Sequence, residues 1–179
     1  MATSKYPTAQ YTSEEFVESS GAILFDLSHE TKRVCLIHYT VKDEWLLAKG
    51  RRNCGESRLE AALREVQEET GYKCHVYPVT MSTRAPSKNE ADDISDHARL
   101  YPGLSEPFML TIRELNDKSE AKLIWWYIAA VDKSFKGSTP SADRDFRAEF
   151  FTYDEALQKL TFQDDRNVLT RAIALVESS

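Results

Sequence analysis

The sequence contains few cysteines and no long apolar segment. Its three cysteines, Cys35, Cys54 and Cys74, are odd in number, and their spacing fits neither a zinc site nor a disulfide framework. We therefore predict reduced thiols and a cytoplasmic protein. No apolar run approaches the length of a membrane span, and the first residues, MATSKYPTAQYTSEEF, lack the apolar core of a signal peptide. Neither membrane insertion nor secretion through such a signal is predicted.

The sequence also has fewer basic than acidic residues. The chain has 23 lysines and arginines against 29 aspartates and glutamates, which gives a formal net charge of −6. This balance argues against general nucleic-acid binding through a basic face. It leaves room for a small anionic ligand held by a local basic patch. The four histidines do not have the spacing of metal ligands.

The chain has 179 residues without internal repeats, which favours a single domain. We predict a polar N-terminal arm at 1–18 and one domain at 19–179. Strand patterns fall at 19–27, 32–40, 44–50, 73–82, 107–115, 121–132 and 146–152, and helical patterns at 57–70, 153–160 and 165–178. This order indicates an α/β (α+β) fold, a mixed sheet with helices on both faces. The polar segments 83–106 and 136–145 are predicted to be loops.

The helix predicted at 57–70 carries an unusual group of carboxylates. Glu65, Glu68 and Glu69 are separated by three and four residues, so all three share one helix face. Carboxylates at this spacing repel one another unless a cation lies among them. Clustered oxygen ligands are those preferred by Mg²⁺ or Mn²⁺. A solvated acidic helix face is the alternative interpretation of these three residues alone.

The residues around this helix favour the metal site over a solvated acidic face. The segment from Gly50 to Tyr72 reads GRRNCGESRLEAALREVQEETGY. It matches every fixed position of the Nudix box, G-x5-E-x7-R-E-U-x-E-E-x-G-U, in which U is apolar or aromatic. The chain therefore resembles a Nudix hydrolase, and the strand and helix order extends the resemblance over 19–178. The resemblance implies an α-β-α sandwich fold and an enzyme that hydrolyses phosphoanhydrides.

The same resemblance implies roles for individual residues. Glu65, Glu68 and Glu69 match the metal-binding carboxylates, with Mg²⁺ or Mn²⁺ as the cofactor, and the main-chain carbonyl of Gly50 often adds a ligand in the family. Glu56 and Arg64 match a structural pair that ties the loop to the helix.

For the general base, Glu69 or Glu65 is expected within the box. Many family members use a further carboxylate from a later loop, and Asp145 lies near that position, with Asp143 and Glu149 beside it. A solvated surface carboxylate is the alternative interpretation of Asp145.

The substrate is predicted from the cations near the box. Basic side chains in the box loop and in the long polar segment are expected to bind substrate phosphates: Lys49, Arg51, Arg52, Arg84 and Lys88. The sequence looks most like the branch of dinucleoside polyphosphate and diphosphoinositol polyphosphate hydrolases, two substrate classes that we rank nearly equal. A nucleoside-diphosphate-linked substrate such as ADP-ribose, or a non-catalytic ligand-sensing module, are the alternatives. Because every box carboxylate is present, an enzyme acting on a small molecule is favoured, as a monomer or homodimer.

Overall fold

The computed structural model describes residues 5–91, 93–132 and 145–179. The helices in these ranges are α1 (Arg58–Thr70), α2 (Tyr153–Lys159) and α3 (Gln163–Glu177). The strands are β1 (Phe16–Asp26), β2 (Arg33–Tyr39), β3 (Glu44–Leu46), β4 (Lys49–Arg51), β5 (Cys74–Val76), β6 (Val79–Thr83), β7 (Arg99–Leu104), β8 (Met109–Leu115), β9 (Glu120–Val131) and β10 (Phe146–Thr152).

The main sheet is mixed and is built around two parallel central strands. β1 runs parallel to β9, and the strand order is β10-β2-β1-β9-β5. β3 pairs with β2, β4 with β1, and β8 with β9, all antiparallel. β6 and β7 form a separate two-stranded sheet.

Helices pack on both faces of the main sheet, as the sequence predicts. Because side chains alternate along a strand, Ile23 and Phe25 of β1 pack into a core with α2 and α3, whereas Ala22 and Leu24 pack against α1. The adjacent Trp125 and Trp126 of β9 also divide between these two cores. β9 lies in the interior of the main sheet, between β1 and β5. None of the helices in the described ranges has the length and apolar character needed to cross a membrane.

Several predicted boundaries differ from the structure. β1 begins at Phe16, three residues before the predicted strand. The strand predicted at 73–82 is divided into β5 and β6 around Pro78, whose nitrogen cannot donate to a ladder. The predicted loop 83–106 contains β7, which pairs with β6 even though it includes Pro102 and Gly103. The predicted loop 136–145 lies outside the described residues, apart from Asp145.

α1 has well-formed ends, which fix the position of its glutamates. Ser57 caps the N-terminus, and its side chain accepts a hydrogen bond from the Glu60 N–H while the Glu60 carboxylate bonds the Ser57 N–H. Gly71 ends the helix with a left-handed φ of 74°, where glycine is favoured. The buried residues Ala62 and Val66 hold the helix against the sheet.

Candidate active site

Arg64 organises the carboxylates of the box. Its Nε donates to Glu56 Oε1 at 2.7 Å and its Nη2 to Glu56 Oε2 at 3.0 Å. The same Nη2 donates to the Arg51 carbonyl at 3.0 Å. Nη1 donates to Glu65 Oε1 at 2.8 Å and to Glu68 Oε2 at 3.0 Å. A guanidinium has five N–H donors, so every donor of Arg64 is used.

This arrangement ties the box loop to the helix. The two hydrogen bonds from Arg64, together with one from the Asn53 N–H, lower the pKa of Glu56 to about 2. The Glu56 carboxylate therefore stays ionised throughout the physiological range. The contact between Glu56 and Arg64 is the one that the Nudix resemblance implies.

Gly50 provides the space in which Glu65 lies. A Cβ atom built on Gly50 would overlap the Glu65 carboxylate. The side chain of Glu65 is only 13% exposed, so this carboxylate lies between α1 and β4. The glycine is needed here for close approach rather than for backbone conformation.

Glu69 is held by the strand instead of by Arg64. The Lys49 N–H donates to Glu69 Oε2 at 2.9 Å. β4 thus contacts two of the three predicted metal ligands, Glu69 through Lys49 and Glu65 through Gly50. Glu68 is the most open of the three, with half of its side chain exposed.

The donor set fits a hard divalent cation in its chemistry, because it consists of three carboxylates and so of oxygen atoms alone. In the part of the chain that the structure describes, however, no three acidic, histidine or cysteine side chains converge as a metal shell requires. Glu65 and Glu68 are turned to Arg64, and Glu69 to the Lys49 N–H. Closing a shell around one ion therefore requires these flexible side chains to turn.

Arg52, predicted to bind phosphates, is engaged in the protein itself. Its Nε donates to Glu18 Oε2 at 3.0 Å and its Nη1 to the Glu56 carbonyl at 2.8 Å. Glu18 also accepts hydrogen bonds from Arg58 at 2.8 Å and from the Trp125 indole at 3.0 Å. Burial raises the pKa of Glu18, but the hydrogen bonds from Arg58 and Trp125 outweigh it, so the net pKa is lowered. No local pattern predicts this role for Glu18, because its partners lie 34, 40 and 107 residues away.

The other predicted phosphate ligands lie in two different places. Lys49 and Arg51 are on β4, where the Lys49 N–H contacts Glu69 and the Arg51 carbonyl contacts Arg64. Arg84 and Lys88 belong to the segment between β6 and β7, where they line a cavity of about 620 Å³. Arg84 there forms a two-pronged ion pair with Asp96, with a closest distance of 2.6 Å. No contact in the described structure links this pair to the glutamates of α1.

Asp145, the candidate base outside the box, lies directly before β10. Its carbonyl accepts hydrogen bonds from the Thr40 N–H at 2.9 Å and from the Thr40 hydroxyl at 3.0 Å. It therefore extends the pairing of β10 with β2, and its role in catalysis stays a prediction. Glu149 is exposed on β10, and Asp143 lies outside the described residues.

Comparison with known proteins identifies the class to which this fold and site belong. The NUDIX domain family matches residues 17–172, so the chain is a member of the Nudix family. An 8-oxo-(d)GTP phosphatase from Mycolicibacterium smegmatis is 25% identical over 178 residues, which cover 90% of this chain. The match spans only 42% of that relative's length.

Solved structures support the fold. The Ap4A hydrolase of C. elegans superposes with a TM-score of 0.59 at 13% identity, over 90% of this chain and 98% of the other. A NUDIX hydrolase from Nitrosomonas europaea gives a TM-score of 0.57 at 16% identity, over 88% of each chain. At these identities the likeness establishes the Nudix fold alone.

Proposed function

We propose that this protein is a divalent-metal-dependent pyrophosphohydrolase, which cleaves a phosphoanhydride in a highly anionic polyphosphate. The observation that carries the proposal is the gathering of Glu65, Glu68 and Glu69 on one face of α1, beside Lys49 and Gly50 of β4. Arg64 offsets part of the repulsion among these carboxylates, because its Nη1 donates to both Glu65 and Glu68. A structural helix face would not need that much organisation.

Glu65, Glu68 and Glu69 would hold Mg²⁺ or Mn²⁺, together with the main-chain carbonyl of Gly50. The bound ion supplies charge neutralisation for the phosphate oxygens. Glu69, or alternatively Glu65, accepts a proton from the attacking water. The water oxygen forms a bond to phosphorus, the bond from phosphorus to the anhydride oxygen breaks, and the leaving phosphate departs. Lys49 and Arg51 balance the negative charge of the remaining phosphates.

A dinucleoside polyphosphate or a diphosphoinositol polyphosphate is the substrate class that we propose. Lys49 and Arg51 provide cations beyond those that a single diphosphate needs. The Ap4A hydrolase among the similar structures is consistent with the first of these classes. A nucleoside triphosphate is a second candidate, favoured by the relative named as an 8-oxo-(d)GTP phosphatase.

The test is a phosphate-release assay with Mg²⁺ or Mn²⁺ on a substrate panel. The panel holds a diadenosine polyphosphate, a diphosphoinositol polyphosphate, ADP-ribose and 8-oxo-dGTP. Glu69→Gln removes the charge of the proposed base, and Glu30→Gln makes the same change at an exposed site between β1 and β2. We expect turnover of one polyphosphate class that Glu69→Gln abolishes and Glu30→Gln preserves. Absence of turnover on every substrate, with normal metal binding, would refute the hydrolase proposal and favour a ligand-sensing module.

A further inference from the structure

Four cationic side chains lie together on the face of the sheet that is opposite α1. They come from three strands, and we name them the cation cluster: Lys49 and Arg51 of β4, Arg113 of β8 and Lys122 of β9. Arg113 is paired directly with Lys122 across the antiparallel β8–β9 ladder. Residues directly opposite in such a ladder share one face of the sheet.

β1 connects the two halves of this cluster. Arg51 is opposite Ser19, Lys49 is opposite Gly21, and Lys122 is the β9 partner of Val17. Successive side chains of a strand point to opposite faces, so positions 17, 19 and 21 of β1 share one face. The surroundings of Gly21 place Lys49 on the same face as Trp126. A Cβ atom built on Gly21 would lie 2.7 Å from Lys49 Cβ and 2.8 Å from the ring of Trp126. Trp126 belongs to the core with α2 and α3, which identifies the face.

The four cations are close enough to affect one another. Burial lowers the pKa of Lys122, and the charges of Lys49, Arg113 and Arg51 lower it further. The Glu65 carboxylate raises this pKa, but its effect is smaller than that of burial and of the three cations. The like charges therefore destabilise the protonated form of Lys122, and the fold maintains them together nonetheless.

Protein carboxylates compensate the cluster only in part. Asp165 of α3 is buried and interacts with Lys49 and Arg113, but burial outweighs these cations, and the net pKa of Asp165 is raised. Across the residues that the structure describes, no carboxylate lies within 4.0 Å of a cationic nitrogen of any of the four. Lys49 and Lys122 are partly buried, whereas Arg51 and Arg113 are exposed. A group of like charges without close counterions favours the binding of an anion with several charges.

β4 lies between this cluster and the carboxylates. Gly50 faces Glu65 on one side, while Lys49 and Arg51 face the other side with Lys122 and Arg113. We propose that the cation cluster binds the phosphates of the substrate that are not hydrolysed, and that Arg113 and Lys122 select a ligand with at least three phosphates over a single diphosphate. This inference rests on the proposed function and assigns a specificity role to two residues outside the box.

The test measures binding without turnover. Orthophosphate, pyrophosphate and tripolyphosphate are titrated into the metal-free protein with EDTA present, by isothermal titration calorimetry. For the wild-type protein we expect affinity to rise along this series. Lys122→Gln and Arg113→Gln should each weaken tripolyphosphate binding about tenfold, as expected for one charge-assisted hydrogen bond. Arg171→Gln, at an exposed position of α3, should change it by less than about twofold.

The melting temperature separates ligand binding from a structural role. Because Lys122 is surrounded mainly by like charges, Lys122→Gln should melt at the wild-type temperature or above it. Lys122→Arg keeps the charge and should restore tripolyphosphate binding. Unchanged tripolyphosphate affinity in both glutamine variants would overturn the proposal. So would a fall in melting temperature in Lys122→Gln together with lost binding in Lys122→Arg.

The two proposals fail in different ways. If no substrate is turned over but the phosphate series depends on Lys122 and Arg113, the hydrolase proposal is wrong and the cation cluster remains a binding site for a ligand with several phosphates. If a polyphosphate is turned over but the series is indifferent to both residues, the cluster proposal alone is wrong.

Discussion

Replacing Arg64 by lysine keeps the positive charge and removes the planar guanidinium, whose fixed N–H donors form a fork. Arg64 makes five hydrogen bonds, to Glu56, Glu65, Glu68 and the Arg51 carbonyl. A lysine ammonium has three donors, so at least two of the five bonds must be lost. A hydrogen bond to a charged group contributes about 1.5–3 kcal/mol. Because the Arg64 side chain is 27% exposed, we reduce this to about 1 kcal/mol for each bond.

The expected loss is therefore about 2 kcal/mol of unfolding free energy, or roughly 4–8 °C in melting temperature for a domain of this size. Since Arg64 also orients Glu65 and Glu68, kcat/KM should fall about ten- to hundredfold. Urea unfolding and the phosphate-release assay measure the two effects, with Arg171→Lys as the matched control at an exposed position. A variant within about 0.5 kcal/mol and twofold of the wild type would refute the reasoning that the fork, rather than the charge, organises the site.

Three further predictions concern the same site. The hydrogen bonds to Glu56 lower its pKa from the ordinary value of 4.5 to about 2. Its ionised form thus adds stability that is complete above about pH 4.5 and disappears as the pH falls toward 2, so the unfolding free energies of wild type and Glu56→Gln should converge over that interval. Gly50→Ala should lower kcat/KM at least about tenfold but melt within a few degrees of the wild type, because the inserted methyl displaces the end of the flexible Glu65 side chain rather than the backbone. Mg²⁺ at about 100 times its Kd should stabilise the wild type by about 2.7 kcal/mol in thermal unfolding and EDTA should reverse this; a similar shift in Glu69→Gln would exclude Glu69 as a ligand.

The part of the site that depends on local spacing could be predicted from the sequence. Glu65, Glu68 and Glu69 share a helix face because of the helical repeat, and Ser57 and Gly71 mark the helix ends by their residue types. The contact of Glu56 with Arg64 spans eight residues and belongs to the box pattern. The two-layer arrangement of helices follows from the order of elements, and the structure confirms it.

The part that depends on strand register could not be predicted. Arg113 and Lys122 meet only because β8 and β9 pair in one register, and a shift by one residue would place them on opposite faces. Glu18 has no local signal, since all its partners come from distant segments. The strand β7 was not predicted, because it contains a proline and a glycine, residues that more often mark turns.

β4 separates two groups of opposite charge, the carboxylates of α1 and the cation cluster. Each group alone is destabilised by like charges, and β4 holds them on its two faces, with Glu65 over Gly50 and Lys49 beside Lys122. The two groups could have neutralised each other as ordinary ion pairs, which would need no ligand. Instead, Glu65 and Glu68 are bonded to Arg64, and Glu69 to a main-chain N–H. Arg64 compensates Glu65 and Glu68 in part. The separation across β4 leaves the cation cluster without a close carboxylate, so that phosphate oxygens can take that place. A protein selected for stability alone would bring them together, so their separation is an argument for ligand binding that does not depend on the family resemblance.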